Sequence, residues 1–217
     1  MASLLRQKLG DFRTYLRKRF LRRSRYLWNP EKFWNKQGAK DRFEEYPPDI
    51  QATHEAFLRQ IDAELKPLSV LEVGCGYGRL LSLFGERGTG VDFGEVQIAE
   101  ARRRGLRATI TDAKALPFPN NSFDLVYTFG VLMHIPPHDI DRVRNELIRV
   151  SKKWILNCEA TNVTPVMFGY DNAAWYRNPE AAKRVTVVRV WDTPFRTKDA
   201  RKRYQVVLVE KINLINQ

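Results

Sequence analysis

Three glycines at alternate positions, Gly74, Gly76 and Gly78, follow a short apolar run that ends in the carboxylate Glu72 and Val73. Glycines so placed let the backbone approach a ligand closely and aim free N–H groups at it, with Cys75 carried inside the same turn. A second carboxylate, Asp92, stands 18 residues beyond Gly74 with Phe93 behind it. That is near the spacing at which a strand-end acid meets a ribose in nucleotide-binding βαβ units, and a carboxylate can accept from both ribose hydroxyls. The glycines read GxGxG, whereas the dinucleotide fingerprint GxGxxG needs a third glycine where Arg79 stands. His134, in the stretch Met133-His134-Ile135-Pro136, is the imidazole best placed to take a proton. The other reading of His134 is that it only shapes its loop. His54 and His138 read as surface or helix-end residues.

The elements that must hold these groups alternate in type. Ile50 to Lys66 has helical spacing, with Ala56, Phe57, Ile61 and Leu65 on one face, and Pro67 stops it before a strand over Ser69 to Val73. Leu80, Leu81 and Phe84 predict a helix from Tyr77 to Glu86. A second strand spans Gly88 to Asp92, and a helix over Glu95 to Gly105 turns Val96, Ile98 and Ala99 inward and Arg102, Arg103 and Arg104 outward. Strand Leu106–Ile110 comes next, and a polar turn through Asn120 and Asn121 enters a fourth strand. The helix from Asp139 to Val150 is read with Ile140, Val143, Leu147, Ile148 and Val150 buried and Asp141, Arg142, Arg144 and Glu146 exposed. Strands over Trp154–Cys158, Val185–Val190 and Gln205–Glu210 complete the pattern.

The glycine turn with Glu72, together with Asp112-Ala113 and the phrase from Leu116 to Thr128 (LPFPNNSFDLVYT), resembles the class I methyltransferases that use S-adenosylmethionine. The resemblance covers residues 50–160 by motif and 161–217 by topology only. It implies an α/β fold, a Rossmann-like three-layer sandwich on a seven-stranded, mostly parallel sheet whose last strand inserts antiparallel beside the fifth. It implies a cofactor site of Glu72, Gly74, Cys75, Gly76, Gly78, Asp92, Phe93, Asp112, Ala113, Phe129 and Gly130. Asp112 would accept from the adenine amine, the Ala113 N–H would reach a ring nitrogen, and carbonyls near Phe129 and Gly130 would face the methionine part. His134 is then the candidate catalytic residue. Trp34, Tyr46, Glu159, Tyr170, Trp175 and Tyr176 are candidate acceptor contacts, since aromatics mixed with a carboxylate suit a ring, a sugar face or an amine. Simple packing of those aromatics is the competing reading. The acceptor class implied is a small molecule, a saccharide or a lipid-linked precursor. Nucleic acid is not favoured, because Thr128-Phe129-Gly130-Val131 stands where an Asn-Pro-Pro-Tyr-like motif would be. The alternatives are an NAD(P)-dependent oxidoreductase and a non-catalytic protein on a cofactor-binding fold.

Composition bounds the rest. The chain has 217 residues, 43% hydrophobic, which allows one catalytic domain (49–217) with an appendage (1–48). Its two cysteines, Cys75 and Cys158, lack disulfide-framework or metal spacing, so no metal is expected and a reducing cytoplasm fits. The net charge of +12 is uneven: residues 1–28 hold nine Lys/Arg against Asp11, a net +8. Within them Leu5, Leu9, Phe12, Leu16 and Phe20 form one helical stripe. A basic amphipathic helix suits an anionic membrane surface, which would put the protein at the inner face of a membrane. A helix packed on the domain and a contact with nucleic acid or another acidic partner stay open beside it.

Overall fold

Aliphatic and β-branched runs bounded by glycine or proline make the strands, and amphipathic stretches between them make the helices that cover the sheet. The computed structural model describes residue 34 and residues 47–161, 168–192, 194 and 203–212. Along them run α1 (Pro48–Leu65), β1 (Val70–Val73), a 3-10 segment (Leu81–Arg87), β2 (Gly88–Asp92), α2 (Glu95–Arg103) and β3 (Ala108–Ile110). Then come β4 (Phe123–Phe129), a 3-10 turn (Leu132–His134), α3 (Ile140–Val150), β5 (Ser151–Ala160), α4 (Asn172–Tyr176), α5 (Pro179–Ala182), β6 (Val185–Asp192) and β7 (Tyr204–Lys211). The amphipathic helix read over residues 1–28, and Tyr46, lie outside the described residues.

The sheet order is β3-β2-β1-β4-β5-β7-β6. Strands β1 to β5 are parallel, and β7 runs against both β5 and β6. This is the expected mixed sheet of seven strands. Its order steps outward from β1 to β3 and then returns to the other side of β1 with β4. At such a switch point a crevice opens beyond the carboxyl ends of the strands. Val73 pairs with Thr128, so the glycine turn after β1 and the Phe129-Gly130 segment after β4 leave the sheet side by side.

Alternation along the strands feeds two cores. Val70, Leu125, Tyr127, Leu156 and Leu208 pack with Phe57, Leu58 and Ile61 of α1 and with Phe84. Leu71, Val73, Val126, Ile155 and Val207 pack with Ile140, Val143 and Leu147 of α3 and with Ala173 and Tyr176 of α4. A smaller cluster joins Cys75 and Leu81 to Ile98 and Ala101 of α2.

Four expectations need correction. The α-helix read from Tyr77 to Glu86 is instead a pair of turns and a 3-10 run, interrupted where Gly85 takes φ +52°. Leu81 and Phe84 still bury, and an i,i+3 pair fits a 3-10 turn as well as an α-turn. On α1 the inner face is Ile50, His54, Phe57, Leu58 and Ile61, while Ala56 is exposed. His54 is therefore core and not surface, at 1% exposure. On α2, Ala99 faces out and Gln97 and Ala101 face in. On α3, Arg144 lies inside at 3% exposure, on the same stripe as Ile140, Val143 and Leu147.

Candidate functional site

Each glycine of the turn has positive φ (+77°, +53° and +83° for Gly74, Gly76 and Gly78), a backbone region that side chains with Cβ rarely adopt. Their surroundings differ. A Cβ on Gly74 would lie 2.3 Å from Val131 Cγ2, and one on Gly78 would lie 2.2 Å from Leu106 Cδ1. Those two glycines admit neighbouring side chains. A Cβ on Gly76 would meet no atom of the described residues within 4 Å. Gly76 is the glycine that faces open space.

The turn is tied to β2. Gly74 N–H and Cys75 N–H both donate to the Val91 carbonyl, at 2.7 and 3.0 Å. Asp92 clamps it from the side: Oδ2 accepts from Gly76 N–H at 3.0 Å and Oδ1 from Gly94 N–H at 2.8 Å. Burial pushes the Asp92 carboxyl up, opposed by the Gly94, Gly76 and Phe93 amides. These amides leave part of the carboxylate's acceptor capacity unused among the described residues.

Glu72, on β1 just beneath the turn, is 3% exposed. Burial pushes its carboxyl up to about 8, while the Tyr127 hydroxyl, the Arg79 guanidinium and the Leu81 amide act the other way. Its Oε2 has no hydrogen-bond partner among the described residues. A buried acceptor left unmatched is uncommon and calls for a reason. Arg79 also reaches His54, with Nη2 3.4 Å from Nδ1.

After β4, Gly130 takes φ +71° and donates to the Cys158 carbonyl at 2.8 Å. The Phe129 ring packs 4.8 Å from His54 and 6.3 Å from Tyr204. His134 meets the edge of Trp34 at 5.3 Å, and the Trp34 carbonyl accepts from Gln97 Nε2 at 3.0 Å. Trp34 thus spans from α2, beyond β2, to the loop beyond β4. Asp112 lies at the other margin of the crevice, its side chain 58% exposed. Its Oδ1 accepts from Lys114 N–H at 2.8 Å and its Oδ2 lies 3.4 Å from Lys114 Nζ, so Asp112 caps its own turn. Ala113 packs against the α3-side core.

The expected acceptor contacts divide. Trp34 joins the crevice. Glu159 and Tyr176 do not line an open surface, each being 1% exposed: Glu159 binds the underside of the post-β4 loop and Tyr176 bonds to Asn157. Their polar groups are engaged in interior hydrogen bonds. Tyr170 donates to the Ile135 carbonyl at 2.7 Å, and Trp175 donates to Asp141 at 2.7 Å. Arg144 lies over both rings, at 5.1 and 4.9 Å. The residues that sequence reading missed here are His54, Arg79, Arg144, Asn157 and Thr128. For His54 and Arg144 a signal existed, since each continues the i, i+3, i+4 stripe of its helix.

A family model described as "Methyltransferase domain" matches residues 70–153. The chain is 33% identical over 114 residues to a sterol 24-C-methyltransferase of Gibberella zeae, covering 46% of this chain and 29% of that one. It is 34% identical over 91 residues to "Probable tRNA methyltransferase 9B" of Homo sapiens, covering 41% and 20%. The chain thus matches less than a third of the length of either relative. Among solved structures, magnesium protoporphyrin IX methyltransferase from Synechocystis PCC 6803 with bound SAH superposes with a TM-score of 0.63. That match is 16% identical and covers 87% of this chain and 98% of the other, a likeness of fold alone.

Proposed function

We propose that this chain, which belongs to the class I S-adenosylmethionine-dependent methyltransferases, transfers a methyl group from that cofactor to a small organic acceptor. One observation carries the reading. At the switch point of the sheet, a Cβ on Gly76 would meet no atom of the described residues within 4 Å, and the buried Glu72 Oε2 on the strand that leads into the same turn has no partner among the described residues. A cofactor with a positively charged amino group beside a ribose suits that pair, since an ammonium would satisfy Glu72 and Asp92 retains acceptor capacity for hydroxyls.

When bound, S-adenosylmethionine supplies an electrophilic methyl group. The chain's residues have three tasks around it. Glu72, Gly76 and Asp92 hold the donor end, and Asp112 with the Ala113 amide holds the base. Phe129 and Gly130 form the wall that the reacting group faces. Trp34 and the post-β4 loop exclude water, and orientation of this kind accounts for about 7–11 kcal/mol of a barrier. A base is needed only for an acceptor that stays protonated at working pH, and His134 is the candidate for it.

The acceptor favoured here is amphiphilic, because the Trp34 and His134 rings meet at the crevice and residues 1–28 combine +8 with an apolar stripe suited to an anionic leaflet. The relatives' names, a sterol, a porphyrin and a tRNA, do not choose among acceptors. The test is incubation with methyl-tritiated S-adenosylmethionine and fractionated extracts. Label in the lipid-soluble fraction supports the reading, and label only in RNA overturns the acceptor class. Flotation with anionic liposomes addresses the arm: equal flotation of the full chain and a 1–28 deletion removes the membrane role.

A further inference from the structure

Behind the loop that follows β4 runs a hydrogen-bond chain whose donors all point one way. The Tyr176 hydroxyl on α4 donates to Asn157 Oδ1 on β5 at 2.7 Å. Asn157 Nδ2 donates to Thr128 Oγ1 on β4 at 2.9 Å. Thr128 then has its single proton left, and it goes to Glu159 Oε1 at 2.7 Å. The same oxygen accepts from Val131 N–H at 3.3 Å, and Oε2 accepts from Met133 N–H at 3.2 Å. Tyr176, Asn157, Thr128 and Glu159 are each no more than 1% exposed, so bulk water cannot replace a missing link.

We infer from this geometry that Glu159 is the positioning residue of the post-β4 loop: its carboxylate fixes Val131 to Met133 from below, and through them the placement of Gly130 and His134. The inference rests on reading that loop as a wall of the methyl-transfer site; the positioning itself does not. Three donors converge on Glu159, and only a group that accepts at both oxygens satisfies them. A glutamine would turn an NH2 toward Thr128 and Val131 or toward Met133. The loop is held from its other side as well, because Tyr170 donates to the Ile135 carbonyl at 2.7 Å and Phe168 N–H to the Met133 carbonyl at 2.6 Å. Residues 168–176 and the loop therefore hold one another. The charged and titratable groups acting with Glu159 are Arg144 on α3, Tyr176 on α4 and Cys158 beside it on β5. Burial raises the Glu159 carboxyl to about 7, so its charge changes within reach of ordinary titration.

The test uses the nitrogen-15-labelled full chain. In the wild type, the Val131 and Met133 amide protons should shift together as pH is taken through neutrality, and in Glu159→Gln that shift should vanish. Their hydrogen exchange should speed by about 100-fold in the variant while core amides such as Val207 stay protected. S-adenosylhomocysteine should bind Glu159→Gln about tenfold more weakly, the consequence of a loosened loop. Unchanged shifts and exchange at both amides in a folded variant would overturn the positioning. Faster exchange with unchanged affinity would confine Glu159 to folding and overturn its link to the site. If Glu159→Gln does not fold, Tyr176→Phe takes its place, and no shift change at Val131 or Met133 in that variant counts against the chain. If the wild type binds no S-adenosylhomocysteine, the site assignment fails while the amide signals still decide the positioning.

Discussion

The two walls of the crevice are built by opposite means. The wall after β1 is made of backbone, where three glycines with positive φ follow one another and the Asp92 carboxylate clamps the N–H of the middle one, Gly76. The wall after β4 is held by buried side chains, a polar chain from Tyr176 to Glu159 that fixes the loop from beneath. A backbone wall constrains residue type at each position, because side chains with Cβ rarely adopt those angles and two of the three positions leave no room for one. A side-chain wall constrains the network as a whole and leaves each member looking like an ordinary residue of a strand or helix.

The largest effect should come from breaking the second wall. Glu159→Leu leaves the Thr128 hydroxyl and the Val131 and Met133 amides without their acceptor. At about 1–3 kcal/mol for each unmatched buried group, and less than additive, the loss should be about 3–5 kcal/mol. In a chain of this size that lowers the melting temperature by about 10 °C, measurable by calorimetry. A fall of only a degree or two would mean the loop does not depend on Glu159.

Gly76→Val attacks the first wall and should reverse the profile. Its left-handed backbone costs a β-branched residue about 1–2 kcal/mol of stability. The new side chain enters the open space above the turn, so affinity for S-adenosylhomocysteine should fall at least about 100-fold. Equal affinity in isothermal titration would show that this space is not the cofactor's.

Glu72 offers a smaller, pH-dependent contrast. Its folded pKa is raised from 4.5 to about 8, so the native state holds a proton that the unfolded chain has released. Stability from this group is fully present below pH 4.5 and is lost as pH rises toward 8. Glu159 adds to the same slope up to about 7. Melting curves should show stability declining from pH 5 to pH 8, and Glu72→Gln should flatten the part above about pH 7. A wild type that grows more stable across that range contradicts the burial argument. Least of all should happen with Asp112→Ala. Its exposed carboxylate caps only its own turn, so stability should stay within about 0.5 kcal/mol while cofactor affinity falls a few-fold.

What was legible follows the same division. The strands and the glycine turn were legible as local patterns, short apolar runs bounded by glycine or proline, whereas the arrangement of the sheet came from the family resemblance and from no periodicity. The post-β1 segment was misread as an α-helix because Leu81 and Phe84 fit either kind of turn, and Gly85 decided between them. His54 and Arg144 were misread because a polar residue on an apolar stripe looks like a boundary until its partners, Arg79 and Asn172, are known. Nothing local in the sequence tells the buried carboxylate of Glu159 from one that lines a cleft. Its donors come from Thr128, Val131 and Met133, about 30 residues earlier in the chain.

The central claim is that the space between these walls holds S-adenosylmethionine. Isothermal titration of the full chain with S-adenosylhomocysteine, and separately with NAD, tests it most directly. The account predicts micromolar binding of S-adenosylhomocysteine and no heat from NAD. Micromolar binding of NAD with no response to S-adenosylhomocysteine would contradict it.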